Sequence, residues 1–257
     1  MKKYLIMVLV VVIALIISFV TYKAITREDK VKTEPPKTTG VTRTTKKEVN
    51  LMDGVTINYQ SSIRIERANM VIYFDPYKIS EAKNDADYVF ITHGHYDHYS
   101  ESDIKKVMKD DTKFIVTSDV ESKIKALGIT EDNVMVIAPG ENYVVDALKF
   151  STIPAYNVSK NYHPKTNNWV GYNVTIDGYN YYVVGDSDVT EELKNVKCDV
   201  IFVPVGGTYT MTDEEAIKAV NEMKPKYAIP YHYGEVGSKA NAENFINGLN
   251  GVTGILL

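Results

Sequence analysis

Three of the chain's five histidines, His93, His95 and His98, fall within the six residues HGHYDH, and Asp97 stands between the last two. Imidazole and carboxylate are the ligands expected for Zn²⁺, Mn²⁺ or Fe²⁺ where thiolates are lacking. Cys198 is the only cysteine, so sites built from several thiolates and any intrachain disulfide are excluded. The bland alternative is a polar surface loop that happens to be rich in histidine. The other two histidines bear on that choice. His163 lies in NYHPKTNN and His232 in PYHYG, and between them Asp186 ends the apolar run YYVVGDSD. A lone aspartate at a strand end usually forms a turn or caps a helix, but this one has histidines on both sides in chain order. Groups of this kind, collected around metal, serve hydrolysis: the cation lowers the pKa of water and polarises a carbonyl or phosphoryl oxygen. No serine elbow of the G-x-S-x-G form is present.

The elements that must position these groups are strands first, then strands mixed with helices. GVTINYQSSIRIE and MVIYFDPY are rich in β-branched and aromatic residues and are separated by RAN, as in an antiparallel pair. ADYVFIT is a short apolar run that delivers the histidine cluster at its carboxyl end. There His93 and His95, two apart, project to one side. Gly94 between them lets the backbone pass close to whatever they hold. Ser100 with Asp103 signals the start of one helix, Ser118 with Glu121 the start of another that Gly128 closes, and Thr212 with Glu215 a capping box ended by Pro225. KFIVTS, NVMVIAPG, ENYVVDALKFSTIPAY, CDVIFVPV and YAIPYHYG read as further strands, and Asp177-Gly178 marks a hairpin within WVGYNVTIDGYNYYVVGDS. Polar motifs at strand ends with helices between suggest an α/β fold, two sheets packed face to face with helices outside, an αββα sandwich.

Charge is unevenly spread. Residues 1–50 carry ten Lys+Arg against four Asp+Glu, and residues 51–257 carry 19 against 29. The acidic part is a poor general binder of nucleic acid. The basic part opens with MKK and the uncharged run Tyr4–Val20, near the roughly 18–20 residues that cross a bilayer. Bulky Tyr22 disfavours cleavage after Ala24. The expected organisation is a transmembrane anchor over 1–25, a Thr/Lys/Pro tether over 26–50 and a globular domain over 51–257. The soluble domain is expected outside the cytoplasm, on a single-pass membrane protein.

The order H-x-H-x-D-H, a later His, Gly-Asp and a final His resembles the metallo-β-lactamase superfamily across nearly the whole globular part. More narrowly, YFDPY, PAYN, GDSD, VPVGGTYTM and KPKYAIPYHYG look like the branch that includes ascorbate-6-phosphate lactonase and N-acylphosphatidylethanolamine phospholipase D. The resemblance implies a metallo-β-lactamase fold and two divalent ions, zinc first, with manganese or iron as alternatives. It implies that His93, His95 and His163 hold one ion, Asp97, His98 and His232 the other, and that Asp186 bridges them. Asp97 would also orient the attacking hydroxide, which makes it the catalytic residue. Asp75 could hydrogen-bond a ligating imidazole or simply form a turn before Pro76. Gly206 and Gly207 would let backbone N–H groups approach a substrate anion, with Tyr209, and similarly Asn157, donating to it. The expected activity is hydrolysis of a small-molecule or lipid substrate, of lactonase or phosphodiesterase type. The alternatives are a metal-stabilised binding or assembly module without activity and a nuclease of the same fold. The acidic domain and the short segment between Asp186 and His232 count against the nuclease.

Overall fold

The computed structural model describes residues 49–257, which form one compact unit from Val49 to Leu257. The expected anchor, and all but the last two residues of the expected tether, lie outside the described residues. Among the described residues no helix is long and apolar enough to cross a membrane.

Two mixed sheets make the body. The first runs in the order β1 (Val55–Tyr59), β2 (Ser62–Arg67), β3 (Met70–Phe74), β4 (Ala86–Ile91), β5 (Met108–Thr117), β6 (Val134–Ile137). Its first three strands are antiparallel and the rest run parallel. The second sheet reads, from the other edge, β13 (Thr253–Gly254), β12 (Tyr227–Tyr231), β11 (Val200–Pro204), β10 (Tyr179–Val183), β9 (Val170–Ile176), β8 (Leu148–Pro154), β7 (Asn142–Val145). Here β10 to β13 are parallel and β7 to β10 antiparallel. The segment GVTINYQSSIRIE is two strands rather than one, because Gln60 turns the chain at φ 50°. RAN and Asp177-Gly178 are tight turns: Ala68, Asn69, Asp177 and Gly178 all have positive φ, the twist that two-residue hairpins need.

Three apolar clusters account for the layers. Ile63, Ile65, Phe74 and Phe90 of the first sheet meet Phe150, Tyr172, Val183 and Phe202 of the second between the sheets. Outside the first sheet, Val89 and Val116 are covered by Ile104 and Val107 of α1 (Glu101–Val107) and by Val120 and Ile124 of α2 (Ser118–Lys125). Outside the second, Ile201 and Val203 are covered by Leu193 of α3 (Glu191–Lys194), Ala216 and Val220 of α4 (Asp213–Met223) and Phe245 of α5 (Lys239–Gly248). This is the αββα sandwich. Thr212 and Glu215 close a reciprocal capping box on α4, whereas α2 is capped at Thr117, with Ser118 already helical. Cys198 packs at the edge of the outer cluster, and burial pushes its thiol up to about 12.

Two tyrosines tie the sheets together where the site will form. The buried Tyr172 hydroxyl on β9 donates to the carbonyl of Ile91, the last residue of β4, at 2.8 Å. Tyr231 at the end of β12 donates to the carbonyl of Gly185 at 3.0 Å. Each locks the exit of one site-bearing segment to a strand or turn of another.

Candidate metal centre

All of the histidine–aspartate set but His163, which lies in the loop between the antiparallel β8 and β9, comes from segments just past the carboxyl end of a strand, where ligands collect in sheets with parallel strands. Asp75 follows β3, His93 follows β4, Asp186 follows β10 and His232 follows β12. Gly185 has φ +74°, and a Cβ there would stand 2.8 Å from the carbonyl oxygen of Val170, so only glycine makes the turn that presents Asp186. The two imidazoles of HGH sit with His93 Nε2 3.1 Å from His95 Nδ1.

The structure brings all seven residues to one place. Ligand atoms of His93, His95 and His163 lie within 4.8 Å of one another, as do those of Asp97, His98 and His232, and those of His93, His98 and Asp186. Asp186 reaches both sides: its oxygens are 3.3 Å from His98 Nε2, 3.3 Å from His163 Nε2 and 3.1 Å from His232 Nε2. Asp97 Oδ2 is 3.4 Å from His232 Nε2. Yet His98 Nε2, His163 Nε2, His232 Nε2 and Asp186 Oδ1 are buried without a hydrogen-bond partner. The approaches are short but misaligned for N–H···O bonds. Four strong polar atoms left unpaired at one point would cost several kcal/mol in a protein that kept the point empty. Unpaired nitrogens and oxygens of these types fit a divalent cation.

Electrostatics point the same way. Burial disfavours charge on His98 and His232, but the Asp186 carboxylate outweighs it, holding His98 well above the usual range and His232 up to about 9. Burial opposes ionisation of Asp186 and Asp97, and the facing imidazoles overcome it, His232 foremost, so both carboxyls are held below their ordinary value. Burial, then neighbouring imidazoles, lower His93 and His95. The protons held on His98 and His232 are the ones a bound cation would displace, while His93 and His95 present neutral nitrogen.

The surroundings orient the rings. Asp75, wholly buried at φ +45°, places Oδ2 2.8 Å from His98 Nδ1 and accepts from both the backbone and the hydroxyl of Thr92. The Tyr209 carbonyl lies 3.1 Å from His163 Nδ1. Gln60 Nε2 lies 3.3 Å from His232 Nδ1. Asn157 is not a cavity residue: its Oδ1 accepts from the N–H groups of Tyr162 and His163, and its Nδ2 donates to the Tyr209 carbonyl and to Asp188. It builds the loop that carries His163. Gly206 and Gly207 also do other work than expected. A Cβ on Gly206 would stand 2.4 Å from the His232 carbonyl oxygen, and the Gly207 N–H is taken by the Met211 carbonyl, so this turn is tight for packing rather than open to an anion. Gly94 is small for Asp119, not for the metal side: Asp119 Oδ2 accepts its N–H at 3.0 Å, and a Cβ would stand 2.7 Å from that oxygen.

Sequence reasoning missed Asp119, Trp169, Gln60 and Asp188. Asp119 also accepts from Trp169 Nε1 at 2.9 Å, and the Trp169 ring packs 4.7 Å from both His93 and His95. Trp169 is the single tryptophan of the chain, a signal that could have drawn attention to it; Gln60 carried none. Above the cluster opens a cavity of about 280 Å³, into which Tyr96, Tyr162 and Tyr209 also face.

An αββα sandwich with a buried histidine–aspartate cluster at its strand ends defines a metal-dependent hydrolase of the metallo-β-lactamase fold, and that is what this protein is. The chain belongs to the beta-lactamase superfamily domain family, whose model matches residues 55–232. Among its relatives, a UPF0173 metal-dependent hydrolase of Nanoarchaeum equitans is 31% identical over 183 residues, 67% of this chain and 80% of that one. One of Thermococcus onnurineus is 29% identical over 157 residues, 58% of this chain and 67% of its own length. A crystal structure from Parabacteroides distasonis, assigned as a metal-dependent hydrolase, superposes with a TM-score of 0.66 at 28% identity, covering 79% of this chain and 91% of that one.

Proposed function

We propose that the protein uses a pair of divalent ions, zinc in the first instance and manganese or iron otherwise, to hydrolyse a carbonyl or phosphoryl substrate in the manner of the lactonase and phospholipase D branch. His93, His95 and His163 would hold one ion and Asp97, His98 and His232 the other, with Asp186 between. The observation that carries this reading is the convergence of three buried imidazole nitrogens and one carboxylate oxygen that have no hydrogen-bond partner. Such ions, when bound, lower the pKa of water toward neutrality and stabilise charge developing on a substrate oxygen.

The protein's own groups do the rest. Asp75 accepts from His98 Nδ1, and the Tyr209 carbonyl from His163 Nδ1, which turns each Nε2 toward the cluster, where an ion would take the place of any proton it carries. Asp97, held as a carboxylate and partly open to the cavity, accepts a hydrogen bond from water and so orients it toward substrate. Tyr172 and Trp169 shut solvent out from the sheet side, where His93 and His98 are buried. The anchor over 1–25 and tether over 26–50 would hold this domain at the outer face of a membrane, which favours a small envelope or lipid-derived substrate.

The test is elemental analysis of the purified full-length protein, followed by a panel of esters, lactones and phosphodiesters before and after chelation. About two equivalents of metal per chain, activity lost on chelation and restored by the metal, are expected. Full activity in fully chelated protein refutes the reading.

A further inference from the structure

The floor of the cavity is the histidine–aspartate cluster; its walls are Tyr96, Tyr162, Tyr209, Val236, Gln60 and Glu235. Three tyrosines stand at the opening with 68%, 51% and 37% of their surface exposed, Tyr96, Tyr162 and Tyr209 respectively. Aromatic faces at a pocket mouth receive flat or apolar groups. Among the described residues, no Lys or Arg lines the cavity.

The ammonium groups nearest the opening are occupied, as Lys165 is on the same loop as His163, where its Nζ is 2.7 Å from Glu192. Lys160 Nζ is 2.7 Å from Asp188 and 2.9 Å from the Thr210 carbonyl. Lys78 Nζ is 2.7 Å from Glu235 Oε1 and 4.0 Å above the Tyr59 ring. Glu235 also accepts from the hydroxyls of Tyr77 at 3.0 Å and Tyr96 at 2.9 Å, so its carboxylate bolts three rim segments together and takes up the Lys78 charge. Its own position is set by Gln60 Oε1, which accepts the N–H groups of Gly234 and Glu235. An anionic substituent entering here meets a carboxylate and finds no free cation on the walls. Sites that handle phosphoryl groups set Arg, Lys or metal ions against the oxygens that do not react, and here the walls add no such cation to those the floor would hold.

We infer that the substrate is an uncharged ester, lactone or amide whose group remote from the scissile carbonyl is apolar or aromatic and lies on Tyr96, Tyr162 and Tyr209, and that Glu235 keeps anions out by holding the Lys78 ammonium. This rests on the hydrolase reading and selects carbonyl over phosphoryl substrates. Glu235 and Lys78 act as specificity residues remote from the reacting atoms.

The experiment uses metal-loaded full-length protein and three p-nitrophenyl benzoates that differ only in the para group: methyl, carboxylate and trimethylammonium. Each kcat/KM is divided by the ester's own hydroxide rate constant, which removes substituent effects on reactivity, and bis-p-nitrophenyl phosphate is run beside them. The methyl ester is expected to exceed the carboxylate ester by about ten-fold, equivalent to about 1.4 kcal/mol. Glu235→Gln frees the Lys78 ammonium and raises the carboxylate-to-methyl ratio about five-fold, the scale of one partly exposed charge, through KM. Adding Lys78→Ala to Glu235→Gln returns the ratio to that of the native protein. Equal use of methyl and carboxylate esters, preference for the phosphodiester, a strong preference for trimethylammonium, or a ratio indifferent to Glu235→Gln overturns the inference. If neither the esters nor the phosphodiester is turned over, the failure falls on the proposed carbonyl or phosphoryl chemistry and not on charge selection. Calorimetric binding of the matching anilides to metal-free protein then decides charge selection separately: the neutral anilide should bind tighter, and tighter binding of the carboxylate anilide overturns it.

Discussion

Asp188, the second aspartate of GDSD, is nearly buried and accepts four hydrogen bonds: from Asn157 Nδ2 at 3.2 Å, the N–H groups of Val158 and Ser159 at 2.9 and 3.3 Å, and Lys160 Nζ at 2.7 Å. All four donors belong to the loop that ends at His163, and Asn157 passes the restraint on by accepting the His163 N–H at 2.9 Å. Asp188→Ala therefore strips the loop of its anchor and strands a lysine whose side chain is only 20% exposed. Breaking a fully buried pair costs about 3–5 kcal/mol. The partial exposure of Lys160 lets water relieve some of that, which puts the loss at about 3 kcal/mol. In a domain of this size each kcal/mol lowers Tm by about 2–4 °C, so a fall of about 6–12 °C is expected by calorimetry. The same variant should lose metal unevenly. The group formed by Asp97, His98 and His232 is held by other elements, so on the proposed two-ion reading elemental analysis should drop from about two equivalents toward about one. Asp188→Asn, which keeps the shape and one acceptor oxygen, should fall between. A variant that melts within about 2 °C of native and keeps its full metal content would show that the loop does not depend on Asp188 and that the hydrogen-bond chain to His163 is idle.

Two other consequences are cheaper to measure. Because the single Trp169 ring packs against His93 and His95, metal uptake should change its fluorescence with the same midpoint as metal binding followed by elemental analysis; emission that ignores bound metal contradicts the placement. Asp103 on α1 accepts from the N–H groups of Lys78 and Ile79, from Ser100 Oγ and from Lys106 Nζ. Burial opposes its charge, but those donors outweigh it and hold the carboxyl below its ordinary value. The unfolded chain then binds the proton more readily than the folded one, so the stabilisation is complete above the unfolded value and is lost as pH falls through the folded one. Asp103→Asn should cost about 2 kcal/mol in urea melts at pH 7 and progressively less on acidification below pH 4. A gap that stays constant with pH would mean that the charge contributes nothing.

What was legible in the sequence follows the range over which the physics acts. Strand runs such as ADYVFIT, the turns at RAN and Asp177-Gly178 and the Thr212/Glu215 capping box are decided by neighbours within four residues, and they stand as read. The break at Gln60 falls in NYQSS, where Asn58, Ser61 and Ser62 are turn-prone, but β-branched residues resume on either side and the stretch reads as one run. The cap of α2 was misplaced by one residue, since Thr117 and Ser118 are both acceptable and the strand before them decides. At the site, residue types told which groups could bind metal, while their supports came from far along the chain. Asp119 reaches Gly94 across 25 positions and Gln60 reaches His232 across 172. No period or spacing encodes such pairs. Asn157 and the Gly206–Gly207 turn were read as facing substrate because polar and glycine-rich loops often do; the structure uses them to shape the backbone around His163 and His232.

The backbone itself carries part of the chemistry. Asp75 and His232 are both non-glycine residues with positive φ, +45° and +58°, each directly after a strand. Such a conformation costs roughly 1–3 kcal/mol per residue and persists only where the surroundings over-determine it. For Asp75 the surroundings are the Phe90 carbonyl, which accepts its N–H, and the two donors of Thr92. For His232 they are the Gln60 carbonyl, 3.2 Å from its N–H, and the close approach of Gly206. In extended backbone the side chains of both residues would follow the pleat away from the cluster. The left-handed turn is what swings Asp75 under His98 and His232 toward Asp186. The strain, offset by the two packed sheets, is thus spent on aiming a carboxylate and an imidazole at the point where the unpaired nitrogens meet.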